Sequence, residues 1–441
     1  DPLLNGEWYI KGMVVGHVQS GKTNHYTGLI TRAADAGYKI FIILAGAHKD
    51  LRKQAQTRLD EDFYGIDTSI EGGKIIGVGK YNENRSRVQT LTNSSINGDF
   101  KLTSKDAVSM NKLPNDPIYF VVKKHVSILK NLNGWLSDFV KNNRLIDKPL
   151  LFIDDECDYA SVNTSYNPTY NDRDDENDYN PTKINMWIRT ILSQFQRKSY
   201  VGYTATPYAN IFIDRFAEND DYGPDLFPDH FIYHLKPPKG IYMGPEEYFG
   251  RKYDIYEEDY QELPFIKQIS NSDLGYLKTE QLDQLPQSLI DAIKTYILAA
   301  AIRYTRGQSF EHNTMLIHID RLTMYQSSIK KEVARLVNNL ENDIKYQNAS
   351  LLKNLFITEF SNKTEEIKNN ANFDESITLN CRIHQWQDVQ PNLIKVLDKL
   401  LVREVNSTSD GEPLDYDQFP DGVNFIAVGG DKLSRGLTLE G

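Results

Sequence analysis

Residues Gly16 to Thr23 read GHVQSGKT, the pattern Gly-x-x-x-x-Gly-Lys-Thr. No other stretch restricts the fold as tightly. The apolar run Gly12-Met13-Val14-Val15 before it predicts a strand, and Asn24 to Ile30 after it predicts a helix. A strand, a tight loop and a helix start aim several backbone N–H groups and the positive end of the helix dipole at one point, where a polyphosphate can sit. Lys22 can reach β- and γ-phosphates, and the Thr23 hydroxyl can ligate Mg²⁺. Gly16, Gln19, Ser20, Gly21, Lys22 and Thr23 are thus the expected phosphate cradle.

The surrounding chain continues that alternation. Lys39 to Ala45, Asp116 to Val122, Pro149 to Ile153 and Ser199 to Tyr203 are short apolar runs suited to buried parallel strands. His48 to Leu59 and Val126 to Val140 read as helices between them. Alternating βα units imply a parallel sheet covered on both faces. Asn163 to Pro181 is rich in Asn, Asp and Tyr and reads as a long loop. Phe216 to Leu285 lacks clear periodicity and is expected to be an inserted subdomain or a linker. From Pro286 a second α/β pattern begins, with helices over Ser288–Thr305, Met324–Leu340 and Leu393–Val405 and strands over Thr314–Ile319 and Asn424–Val428.

A chain of 441 residues suits two or three domains. With 40% hydrophobic and 25% charged residues it is expected to be globular, and no apolar stretch is long enough to span a membrane. The net charge of −11 means that any nucleic-acid contact must rest on local basic groups. Lys49, Arg52, Lys53 and Arg58 form the best such cluster, and Arg321 after the strand MLIHI is another candidate. Cys157 and Cys381 are far apart and have no metal-ligand spacing, which points to a reduced, cytoplasmic chain. The start at Asp1 and the stop at Gly441 suggest a piece of a longer protein.

Three further motifs carry chemistry. Leu150 to Ile153 runs into Asp154-Asp155-Glu156-Cys157-Asp158, acids at the carboxyl end of a strand, where open α/β sheets bind ligands. Asp155 is placed to hold Mg²⁺ and Glu156 to polarise a water, although the register alone leaves Asp154 open as the metal acid. Gly202-Tyr203-Thr204-Ala205-Thr206-Pro207 is a rigid turn whose Thr204 and Thr206 hydroxyls can bond the neighbouring acids. Gly429 to Gly441 (GGDKLSRGLTLEG) offers close backbone approach at Gly436 and a permanent guanidinium for phosphate at Arg435.

In this order the motifs resemble those of superfamily 2 helicases and translocases: GHVQSGKT motif I, Leu44 to Leu59 motif Ia, Asp155-Glu156-Cys157-Asp158 motif II, Thr204-Ala205-Thr206 motif III, MLIHIDR motif IV, and GGDKLSRGLTLEG motif V. The wording of the first, second and last blocks is similar to the endonuclease-associated Z1 domain family of bacterial restriction and phage-defence neighbourhoods. The resemblance implies two RecA-like parallel-sheet domains, over residues 1–215 and 286–441, with 216–285 between them and the second C-terminally incomplete. It implies an ATPase that uses ATP and Mg²⁺, with Lys22, Glu156 and Arg435 catalytic and Thr204, Thr206 and Gly436 at the nucleotide. It further implies DNA as partner and a partner nuclease or MORC-type ATPase; the sequence shows no acid pair followed by Glu-x-Lys in a strand context, so no nuclease is expected within this chain. The main expectation is a DNA translocase; the alternative is an ATP-dependent switch that recruits a partner.

Overall fold

In the computed structural model, residues 1, 4–5, 19, 47, 82–87, 104–112, 141–143, 164–180, 239–263, 280–281, 321, 347–348, 370–380, 407–413, 415, 431–438 and 440–441 lie outside the described residues. The chain divides into two compact units, Asp1–Tyr242 and Met243–Gly441. Each is an α/β unit built on a parallel sheet, as the alternating pattern predicts.

The first unit contains β1 (Trp8–Gly16), β2 (Ile40–Ala45), a short antiparallel pair β3 (Ile66–Asp67) and β4 (Lys74–Ile75), then β5 (Gln89–Thr90), β6 (Ile118–Val122), β7 (Leu150–Asp155) and β8 (Arg197–Thr204). A second antiparallel pair, β9 (Glu218–Asn219) and β10 (Gly223–Pro224), precedes β11 (Phe231–Leu235). Seven of these form one sheet in the order β11-β1-β8-β7-β2-β6-β5, every pairing parallel. Four helices matter to the site: α1 (Lys22–Ala36), α2 (Lys49–Leu59), α3 (Val126–Ser137) and α4 (Pro181–Ser193).

Successive strand residues point to opposite faces, and the core obeys this. Ile40, Ile42, Leu44, Phe120, Leu150 and Phe152 pack with residues of α3 and α4. Phe41, Ile43, Ala45, Leu151, Ile153 and Tyr203 pack with Tyr26, Ile30 and Ala33 of α1 and Ala55 and Leu59 of α2. Because both faces are dry, the central strands are uniformly apolar and carry no polar alternation.

The stretch Phe216–Leu285, expected as an insertion or linker, is divided by the fold. Phe231–Leu235 pairs with Gly12–Gly16 at the sheet edge, and the Phe231 ring lies over Gly12. A Cβ on it would lie 2.2 Å from the Phe231 ring.

The second unit carries α5 (Gln287–Thr305), β12 (Asn313–His318), α6 (Thr323–Tyr346), α7 (Leu393–Asp398), β13 (Leu400–Val405) and β14 (Asn424–Gly429). Its sheet has the order β12-β14-β13, again parallel. The helix expected over Leu393–Val405 ends instead at Asp398, and Leu400–Val405 is a strand. Val402 and Val405 are β-branched and suit a strand, and the ladder to β14 outweighs the helical spacing of the preceding segment. Among the described residues, no helix is long and apolar enough to cross a membrane.

Candidate active site

Strand β1 ends at Gly16 and delivers the glycine loop to the start of α1. A Cβ at Gly16 would stand 3.1 Å from Ser20 Oγ and 3.3 Å from Lys22 Cγ, tight enough to disturb the loop. Gly21 holds φ +90° and is the N-cap of α1, a left-handed conformation that glycine adopts without a Cβ penalty. No side chain caps that helix end. The loop closes on itself through His17: its carbonyl accepts from the Ser20 N–H at 3.2 Å and the Ser20 hydroxyl at 2.8 Å. Lys22 Nζ donates to Gly16 O at 3.2 Å and His17 O at 2.9 Å. Its ammonium is therefore curled over the cradle. Burial lowers the Lys22 pKa, and the carboxylates of Asp155, Glu156 and Asp158, in that order, oppose the shift. Gln19 lies outside the described residues.

The strand order puts β8 between β1 and β7, so the acids stand one strand away from the loop. Parity decides which acid does what. Asp155 shares the face of Leu151 and Ile153, the α1 face; Asp154 shares the face of Leu150 and Phe152. Asp154 is fully buried, 2.8 Å from Lys124 Nζ, and accepts the Tyr200 hydroxyl at 2.6 Å. The Lys124 ammonium, also fully buried, donates to Glu156 O at 2.6 Å, Tyr159 O at 2.9 Å and Ser161 Oγ at 3.0 Å. Those three bonds take up its protons, so Asp154 Oδ1 is held by ion pairing. The open alternative at Asp154 is thereby closed: its carboxylate is committed to the scaffold.

Asp155 is half-buried, and its Oδ1 accepts the Glu156 N–H at 3.1 Å. Burial and the neighbouring Glu156 carboxylate push its pKa up to about 6, against the pull of Lys124 and Lys22. Glu156 has φ +54°, a left-handed backbone that costs a non-glycine residue about 1–2 kcal/mol. Strained residues of this kind cluster at functional sites. Lys124 on Glu156 O and the bond from Cys157 N–H to Tyr203 O at 3.0 Å hold the turn in that shape. Gly202 admits it, since a Cβ there would meet Cys157 Sγ at 2.7 Å.

Asp158 joins the acidic turn to the hydroxyl turn. It accepts Thr204 Oγ1 and Thr206 Oγ1, each at 2.7 Å, while the Thr206 N–H donates to Thr204 Oγ1 at 2.9 Å. Both hydroxyl protons are thus given to Asp158. The sequence reading missed the aromatic support behind α1. His25 Nδ1 bonds the Tyr203 hydroxyl at 2.9 Å, and its ring stacks on Tyr233 at 6.0 Å and 17°. Burial lowers the His25 pKa. Lys124 was missed as well; its only sequence signal is a lysine pair directly after the apolar run IYFVV.

The basic residues of α2 separate. Lys49 is exposed and donates to Asn97 Oδ1 at 3.0 Å; Lys53 is half-buried; Arg58 donates to Asn24 Oδ1 at 3.1 Å, beside the cradle. Arg52 must be removed from the nucleic-acid set. It is 1% exposed, and its guanidinium donates to Asn93 O and Ser95 O, where it holds a loop under the helix. The reason is its place on the buried side of α2 with Leu51, Ala55 and Gln56. Arg321, Arg435 and Gly436 lie outside the described residues.

A divalent cation would meet hard oxygen donors here, the Asp155 carboxylate and the Thr23 hydroxyl. Among the described residues no cluster of three or more His, Cys, Asp or Glu could hold a metal unaided. Oxygen donors of this kind, one carboxylate and one hydroxyl, are of the chemistry that Mg²⁺ takes.

Comparison with known proteins adds the following. Residues 288–441 match the Z1 domain family. No curated protein sequence matches the chain significantly. Among solved structures, the helicase domain of Hef from Pyrococcus furiosus is similar over 97% of this chain and 84% of its own, at 12% identity and a TM-score of 0.32. The DNA-bound, ATP-dependent Type ISP restriction-modification enzyme LlaBIII is similar over 95% of this chain, at 11% identity and a TM-score of 0.32. This chain spans 23% of the LlaBIII chain.

Proposed function

We propose that the first unit binds Mg²⁺-ATP at Gly16–Thr23 and hydrolyses it, and that the chain is a helicase-like, RecA-type motor acting on DNA in bacterial restriction or phage defence. The observation that carries this reading is the parallel order β1-β8-β7, which puts the glycine loop after Gly16, the Thr204–Thr206 turn and the acidic turn at Asp155 at the same carboxyl edge of one sheet. In the proposal, the loop N–H groups and Lys22 bind the β- and γ-phosphates. Thr23 and Asp155 orient the cation, which when bound neutralises charge on the phosphate oxygens. Glu156 accepts a proton from the attacking water. The Asp158–Thr204–Thr206 clamp couples the acidic turn to β8. Lys49, Lys53, Arg58 and Arg321 are the proposed DNA-backbone contacts.

The test is ATP turnover with and without DNA. Lys22→Ala is expected to abolish nucleotide binding. Glu156→Gln should bind normally and lose turnover by about 10²-fold or more, the usual worth of a general base. Normal hydrolysis by Glu156→Gln would remove that residue from its role. A second reading, an ATP-dependent switch that recruits a partner protein, draws on Tyr208, Phe212 and Phe216, which are 70%, 83% and 87% exposed directly after the Thr206-Pro207 turn. Hydrolysis indifferent to every nucleic acid would favour the switch and sink the motor.

A further inference from the structure

Away from this site, the second unit contains a cavity of about 200 Å³ at the end of α5. Arg303, in the last turn of α5, donates from Nη1 to His312 O and Asn313 Oδ1 at the start of β12. The cavity therefore lies at the amino end of that strand, opposite the carboxyl end that carries His318. Its floor is apolar: Ala299, Ile302, Phe356 and Phe360. The Phe356 and Phe360 rings stack at 6.2 Å and 24°, and Phe356 packs against Trp386 at 5.5 Å.

The rim is cationic. Arg303, Arg306 and Arg382 line it with His384, and no carboxylate is among the described lining residues. Arg306 Nε donates to His384 Nε2 at 3.0 Å, which requires a neutral imidazole at that nitrogen. Burial and the two neighbouring arginines lower the His384 pKa, consistent with that form. The Arg306 terminal amino groups and the Arg382 guanidinium have no acceptor among the described residues. Three permanent cations around one cavity, with no acid among its described lining residues, stand out in a chain of net charge −11.

We propose that this cavity binds a small phosphate monoester carrying an aromatic ring, with the phosphate on Arg306 and Arg382 and the ring on Phe356 and Phe360. Guanidinium forks match phosphate oxygens bidentately, which a lysine cannot do. An apolar cavity of about 150 Å³ holds one benzene ring, so this one has room for a ring with its anionic head at the rim. The site is independent of the nucleotide reading of the first unit.

Calorimetric titration of the full chain with phenyl phosphate tests it. Saturable binding of one equivalent is expected, tighter than inorganic phosphate or phenol. Arg306→Gln with Arg382→Gln should weaken it by about ten-fold or more, as loss of charge-assisted bonds predicts. Both arginines are exposed, and an unchanged unfolding midpoint verifies the fold. Thr364→Glu, which adds a carboxylate to the lining, should weaken binding without removing an arginine. Lys22→Ala should leave it unchanged. Absence of saturable binding, indifference to the arginine and Thr364 variants, or loss in Lys22→Ala would each overturn the proposal. Nucleoside 5′-monophosphates in the same titration show whether a base can replace the phenyl ring.

Discussion

Asp154 and Asp155 are adjacent, chemically identical and opposite in every structural respect. Behind the sheet, Asp154 and Lys124 form a dry ion pair, both fully buried, closed by Tyr200 and by the carbonyls of Glu156 and Tyr159. In front, Asp155 is half-buried with a raised pKa, and Lys22 rests on two loop carbonyls. The back pair shapes the turn that the front pair would use. One face is closed by a buried ion pair; the other carries Lys22 and the half-buried Asp155 at the mouth of the loop, and that is the face that can gain from a phosphate and a cation.

The comparison breaks first at Lys124. Lys124→Met leaves Asp154 buried without its cation and should cost about 3–5 kcal/mol, read as a fall in the urea or thermal midpoint. A normal midpoint would mean that the back pair does not support the turn. Asp155→Asn should act in the opposite direction. The folded-state pKa of Asp155, about 6, lies above its ordinary value of 3.8. The group's contribution to stability is therefore full below about pH 4 and is lost as pH rises through about 6. Asp155→Asn should exceed the parent chain by on the order of 2 kcal/mol at pH 8, and the gain should vanish near pH 4. An Asp155→Asn chain less stable than the parent at pH 8 would place this carboxylate in the scaffold with its neighbour. The smallest effect is expected at Glu156. Replacement by glycine relieves a left-handed backbone worth about 1–2 kcal/mol and adds about 0.5–1 kcal/mol of unfolded-state entropy. Glu156→Gly should therefore be stabilised by about 0.5 kcal/mol, and a clear loss would show that the Glu156 side chain, and not the backbone shape, holds the turn.

Misreadings of the sequence have a common origin. Arg52 lies in a helix with Lys49, Lys53 and Arg58, and composition alone groups all four. Only packing shows that position 52 faces inward with Leu51 and Ala55. Lys124 carries no local sign of burial and drew no reading from the sequence, yet it is as buried as Phe120. Leu393 to Val405 carries helical spacing, and its second half is taken by the ladder to β14. Each depends on a partner distant in sequence, which local periodicity does not register.

What the sequence determined by itself was local and stereochemical. The glycine loop falls between a strand and a helix, the apolar runs are buried strands, and the acids fall at a strand end. What only the tertiary structure decided was facing. Leu150 to Ile153 is apolar throughout because helices cover both sides of β7. Such a strand carries no alternation from which the side of Asp154 or Asp155 could be read. That side was set by α1 and α2 packing on one face, by α3 and α4 on the other, and by Lys124 waiting under the turn.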